Sequence, residues 1–262
     1  MPDRRQHRGP HPEDGRLFDL QAQQALRAAA ADFRWLLDHG YPHDSALKLV
    51  GDRYALVARQ RIAISRCSCS SAAAARRRRG QMNAGQLRGG ILWIDGYNVL
   101  TTIEAALAGG VILAARDGTY RDMASMHGSY RKVAETLPAL ELLGHTIAAL
   151  AVAECRWFLD APVSNSGRLK RIIEAMAAAR AWPWRAELVP DPDILLAGPE
   201  AAAEPSQRHP GATTDPKLTA PAGIVVATAD SGILDRCAAW FNLAKETIVA
   251  SVPNAWVLGL DR

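Results

Sequence analysis

Apolar and polar positions follow two different rhythms along this 262-residue chain. In the front part the apolar residues recur at helical spacing. "LFDLQAQQALRAAAADFRWLLDHGY" carries Leu20, Leu26, Phe33, Leu36 and Leu37 in that spacing, which predicts a helix that Gly40 stops. The next stretch predicts a short helix over 45–50, a break at Gly51, and a longer Arg-rich helix from about Tyr54. Two helices around a Gly-containing turn outline a helix-turn-helix or a small basic bundle over residues 17–75. Residues 1–16 are polar and Pro-rich, as in a disordered tail, and 76–90 lack an apolar period, as in a linker.

From Ile91 the rhythm changes to alternating strands and helices. "ILWID", "CRWFLD", "WRAELVP", "GIVVATAD" and "TIVAS" predict strands, and "VILAA" a short strand or a buried loop. "NVLTTIEAALAG", "SYRKVAETLPALELLGH", "SGRLKRIIEAMAAARAW" and "SGILDRCAAWFNLA" predict helices. This alternation implies an α/β domain over 91–262, Rossmann-like, with a mainly parallel sheet flanked by helices. An Ala/Pro/Gly-rich stretch at about 197–221 predicts a flexible insertion.

Charge sharpens the division. Residues 1–90 hold 16 Lys and Arg against 8 Asp and Glu, and residues 91–262 hold 15 against 19. The halves are therefore net +8 and net −4, and a basic front suggests contact with a polyanion such as RNA. Arg53, Arg59, Arg61, Arg66 and the run Arg76–Arg79 are its carriers, although a charge run is equally well a solvated face. No apolar stretch predicts a membrane span or a signal peptide, and four cysteines without paired spacing suit reduced thiols in the cytoplasm.

Three predicted strands end on aspartate: Asp95, Asp160 and Asp230. Ligands of open parallel sheets bind beyond the carboxyl ends of the strands. Three carboxylates there need protons or a cation between them, and all-oxygen donors suit Mg²⁺ or Mn²⁺. A lone strand-end Asp is more often a helix N-cap. Asp235 follows one turn after Asp230. Glu104, Asp117 and Asp122 are additional candidate acids, and Asn98 stands three residues after Asp95. "DAPVSNSGR" brings Ser164, Asn165, Ser166 and Arg168 to a helix start, where N–H groups favour a phosphate. His127 and His145 lack spaced partners and read as structural. The chain has no phosphate-binding or dinucleotide-binding glycine motif.

"ILWIDGYNVL" together with "VVATADSGILD" resembles the PIN-like superfamily of metal-dependent nucleases, especially its NYN branch. The resemblance implies a Rossmann-like sheet, Asp95, Asp160 and Asp230 as metal ligands, Asp235 as a further acid, and RNA as substrate. From about Leu17 to Leu258 the chain also resembles an uncharacterised prokaryotic family of unknown function. The expectation is a Mg²⁺- or Mn²⁺-dependent endoribonuclease. The alternatives are a nucleic-acid-binding or regulatory protein with a degenerate site, and a small-molecule phosphohydrolase.

Overall fold

A computed structural model describes residues 8–124, 130–198 and 223–261. Five helices come first: α1 (Asp14–Leu17), α2 (Leu20–Asp38), α3 (His43–Arg53), α4 (Ala58–Cys67) and α5 (Ser71–Gly80). They lead into β1 (Ile91–Asp95), α6 (Gly96–Leu107), β2 (Val111–Ala114), β3 (Tyr120–Arg121) and α7 (Thr136–Leu150). Next come β4 (Glu154–Asp160), α8 (Ser166–Arg180), β5 (Trp184–Val189) and α9 (Pro192–Ala197). The chain continues with β6 (Ile224–Ala227), α10 (Ser231–Leu234), β7 (Trp240–Phe241), α11 (Leu243–Ser251) and β8 (Trp256–Gly259).

The class is α/β. The main sheet has five strands in the order β5-β4-β1-β6-β7, and every neighbouring pair is parallel. Its central strands are apolar on both faces because helices cover both. Leu92 and Ile94 pack toward α6 and α7, while Trp93 faces Phe158, Val189 and Leu196. "VILAA" is a strand, but β2 stands in a second sheet, β3-β2-β8.

That second sheet explains where the front helices belong. Val111, Leu113, Leu258 and Leu260 share one buried cluster with Leu26, Phe33, Val50 and Ile64. The helices are half of a core whose other half comes from β2 and β8. Residues 76–90 do not behave as a linker either. The arginine run lies in α5, Ser70 caps that helix by accepting from the Ala73 N–H at 3.2 Å, and Arg77 is buried. Residues 8–16 are packed rather than disordered: Arg8 pairs with the buried Glu104, and Arg59 pairs with the buried Asp14. The front half's positive charge is largely matched internally. Arg8, Arg34, Arg66, Arg76 and Arg77 all reach acids of the back half.

Several element boundaries differ from the sequence pattern. Gly51 lies inside α3, and its missing Cβ leaves room for the Arg61 guanidinium. The helix expected from "SYRKVAETLPALELLGH" starts only at Thr136, with Pro138 in its first turn, where no helical hydrogen bond is lost. "SGILDRCAAWFNLA" splits into α10, β7 and the start of α11. "TIVAS" is the end of α11, because Leu243, Ala244, Thr247 and Ile248 bury one helical face. The expected insertion at 197–221 and His127 fall mainly outside the described residues, although α9 runs through Ala197.

Candidate functional site

Parallel pairing of β4, β1 and β6 places the ends of all three strands at one edge of the sheet. Asp95, Asp160 and Asp230 therefore share that edge. The turn after β1 is tight: a Cβ on Gly96 would sit 2.5 Å from Leu159 Cδ2 and 2.7 Å from the Phe158 carbonyl oxygen. Only glycine lets α6 start this close to β4, and that start aims Asp95 at the edge.

The three aspartates are held differently. Asp95 is buried, makes no capping bond among the described residues, and accepts from the Thr228 hydroxyl at 2.7 Å. Burial pushes its carboxyl up to about 8, helped by the charges of Asp193 and Asp230. Asp160 is half-buried, and burial followed by the nearby Asp191 raises it too. Asp230 does what a lone strand-end Asp most often does. Its Oδ1 accepts from the N–H groups of Gly232 (2.7 Å) and Ile233 (3.1 Å), capping α10. A fourth and a fifth acid join them. Asp191 caps α9 at the end of β5, and Asp193 follows in the first turn of that helix. Desolvation by the surrounding protein, then Asp230, Asp191 and Asp160, push Asp193 up to about 6. Asp193 keeps solvent access, so screening limits the effect and its upward direction is what matters.

The other candidate acids serve structure. Glu104 is buried against Arg8, Tyr130 Oη (2.6 Å) and Thr136 Oγ1 (2.6 Å). Arg77 and Arg121 each donate to Asp117 at 2.6 Å, and their charges outweigh burial to hold it down at about 2. Asp122 accepts from Thr101 (3.1 Å) and Thr102 (3.0 Å). Asp235 is clamped by Arg76 and Arg77 and points into that network rather than to the acids of the edge.

The expected phosphate contacts also separate. Asn98 Oδ1 accepts from the Ala229 N–H at 2.8 Å, tying α6 to the turn after β6. Ser164 and Asn165 bind the backbone of Tyr130, while Ser166 Oγ lies 3.4 Å from the Ala161 carbonyl. Arg168 is exposed on the first turn of α8. Arg53 pairs with Asp32, and Arg61 with Asp52, both within the front helices.

Asp193 and Asp191 are the residues that pattern reading passed over. The signal was present in "VPDPD", acids immediately after a predicted strand. The proline at the first helical position hides the fact that a new helix begins there. Among the described residues, no three His, Cys, Asp or Glu side chains converge closely enough to hold a metal ion. The acids sense one another's charge but, as placed, do not form a ligand set.

Beside the edge lies an open cleft of about 690 Å³, walled by α4 and α5 on one side and by α6 and α10 on the other. Asp230, Asn98, Arg66 and Ser68 line it. Residues 84–246 match the family described as a domain of unknown function, DUF5616. The chain belongs to that family. Residues 25–79 match a second description, protein of unknown function DUF434, so the front helices and the sheet-bearing part of this DUF5616 member carry separate family signatures. The chain is similar to uncharacterized protein MJ0935 of Methanocaldococcus jannaschii, 32% identical over 155 residues, which is 59% of this chain and 74% of the relative. No solved structure matches it. No helix among the described residues is long and apolar enough to cross a membrane.

Proposed function

We propose that this DUF5616 protein is a PIN-like phosphodiesterase that cleaves RNA at the carboxylate edge of its main sheet. The observation that carries this reading is the common placement of Asp95, Asp160, Asp193 and Asp230 at one strand-end edge, beside an open cleft. A carboxyl raised to about 8 keeps its proton at neutral pH, while one raised only to about 6 is ionised there. An acid and a base at one edge are what phosphodiester hydrolysis asks for: Asp193 to take a proton from the attacking water, Asp95 to deliver one to the leaving oxygen. Exposed Arg168 on α8, and Arg236, whose charge reaches Asp193, are suited to meet substrate phosphates. Mg²⁺ or Mn²⁺ is the counter-charge such an edge calls for, but the side chains as placed do not make its ligand set, so no step is routed through it. The cysteines are free thiols, which suits a reducing compartment such as the cytoplasm.

The lack of a converged ligand set favours one other reading, a protein that binds nucleic acid or regulates without cleaving. One assay separates them: RNA, single-stranded DNA and a phosphomonoester, each with and without Mn²⁺, on wild type and Asp193→Asn. Asparagine keeps the size of the Asp193 side chain and removes the base. RNA cleavage that drops by at least about 100-fold in the variant, with unchanged RNA affinity, is the expected result. Wild-type cleavage by Asp193→Asn sinks the carboxylate mechanism. Binding without cleavage by wild type establishes the second reading, and turnover of the monoester alone makes the protein a small-molecule phosphohydrolase.

A further inference from the structure

Four cations gather beside the carboxylate edge without carboxylate partners. β4 ends on Asp160, and the loop after it leads into α8. Segment 130–132 is tied to that loop. The Tyr130 N–H donates to the Ser164 carbonyl at 3.1 Å, and Asn165 Nδ2 donates to the Tyr130 carbonyl at 3.0 Å. Tyr130 is buried and bonded through its hydroxyl to Glu104, so the core holds this segment in place. Arg131 and Lys132 follow Tyr130 directly, and Arg168 and Arg171 stand in the first two turns of α8. Arg171 Nε reaches back to the Gly167 carbonyl at 3.3 Å, which draws its guanidinium toward the head of the helix. Arg131, Arg168 and Arg171 are exposed, and Lys132 is partly so. None of the four makes an ion pair among the described residues; the pairs formed nearby are Lys170 with Glu174 and Arg180 with Glu141. Glu135, the nearest acid along the chain from Lys132, turns one oxygen inward, where it meets no partner.

Stability does not account for this placement. The N-terminal end of a helix carries partial positive charge and favours acids, yet the first turn of α8 holds none. Like charges three residues apart on a helix also repel, as Arg168 and Arg171 do. The unpaired arginines of the front half are placed differently. Arg78 and Arg79 lie in the last turn of α5, where the dipole favours cations. Arg88 precedes β1 and so stands at the opposite edge of the sheet. Arg27 lies midway along α2 and bonds to Gln23. A concentrated positive field beside the acids is suited to draw and hold a polyanion.

We propose that Arg131, Lys132, Arg168 and Arg171 form the surface on which the backbone phosphates of an RNA strand lie as it enters the carboxylate edge past Asp160. The exposed arginines of the front half take no part in holding it. Entry into the edge rests on the nuclease reading; the RNA-binding surface does not.

The test is a binding titration of the full chain, free of divalent metal, with a short fluorescein-labelled single-stranded RNA. Its dissociation constant is read by anisotropy across a salt series for wild type and two quadruple variants. The first carries Arg131→Gln, Lys132→Gln, Arg168→Gln and Arg171→Gln. The control carries Arg27→Gln, Arg78→Gln, Arg79→Gln and Arg88→Gln, and so loses the same charge. The first should bind about tenfold or more weakly, and its logarithmic salt slope should fall by about 2 to 3, because each phosphate neutralised on a single strand contributes about 0.7. The control should keep the wild-type slope. The first variant should also melt no lower than wild type, since it relieves repulsion at the head of α8. A lower melting temperature would give the four cations a structural role and overturn the surface. Equal losses in both variants would mean that RNA follows net charge alone, and wild-type binding by the first would mean that RNA lies elsewhere; either overturns it. A wild type that binds through these residues but never cleaves when metal is supplied keeps the surface and loses the nuclease reading. A wild type that cleaves RNA while the first variant binds normally does the reverse, and no RNA binding by wild type overturns both.

Discussion

At the residue scale, Asp95 is a buried carboxyl held far from its ordinary value. Its carboxyl is raised to about 8 in the folded chain, against about 3.9 in the unfolded one. Between those values the folded state binds the extra proton, so stability falls as pH rises from about 4 to about 8 and levels off on either side. Asp95→Asn should remove that decline. Melting temperatures of both proteins from pH 4 to 9 check it, and parallel curves would mean that Asp95 titrates as an ordinary aspartate. Arg77 is the opposite case, a buried cation held in its charged form by hydrogen bonds to Asp235 and Asp117 that outweigh its burial. Arg77→Ala leaves Asp117 with only part of its compensation and should cost about 3–5 kcal/mol of unfolding free energy by denaturant titration. A loss below about 1 kcal/mol would mean that water replaces the guanidinium. Strand-end positions made Asp95, Asp160 and Asp230 legible in the sequence. Nothing in the pattern distinguished Asp95, with a hydroxyl partner, from Asp230, which caps a helix.

At the element scale, the close approach of α6 to β4 depends on the missing side chain of Gly96. The nearest obstacle to a Cβ includes a backbone carbonyl, which cannot swing aside as a side-chain end can. Gly96→Ala should therefore destabilise by about 1–3 kcal/mol despite alanine's better helix propensity. It should also disturb the edge, because α6 would have to back away from it. A variant as stable as wild type would show that β4 yields. The elements with unambiguous periodicity, α2, β1, β4 and α8, were legible within a few residues. "TIVAS" was not: a run of β-branched and small residues suits a strand by composition, and only its register in the longer helical face of α11 decides otherwise.

At the scale of the whole molecule, the front helices and the second sheet complete each other. A chain cut to residues 84–262 would expose Val111, Leu113, Leu258 and Leu260 and strip the buried Glu104 of Arg8. It should melt without cooperativity or aggregate, and residues 1–83 supplied separately should restore its solubility. A cooperative transition at the full-length melting temperature would make the helices an independent module. The sequence by itself determined the α/β class, the parallel order of rhythm from Ile91 onward and the acids at the strand ends, because those follow from local periodicity and from the rule that parallel strands open at one edge. Tertiary structure alone decided which charges are available. The excess of arginine in the front half invited a polyanion, but Arg8, Arg34, Arg66, Arg76 and Arg77 meet carboxylates that lie far away in sequence. Composition counts charges and cannot pair them; pairing needs the distances that only the folded chain supplies.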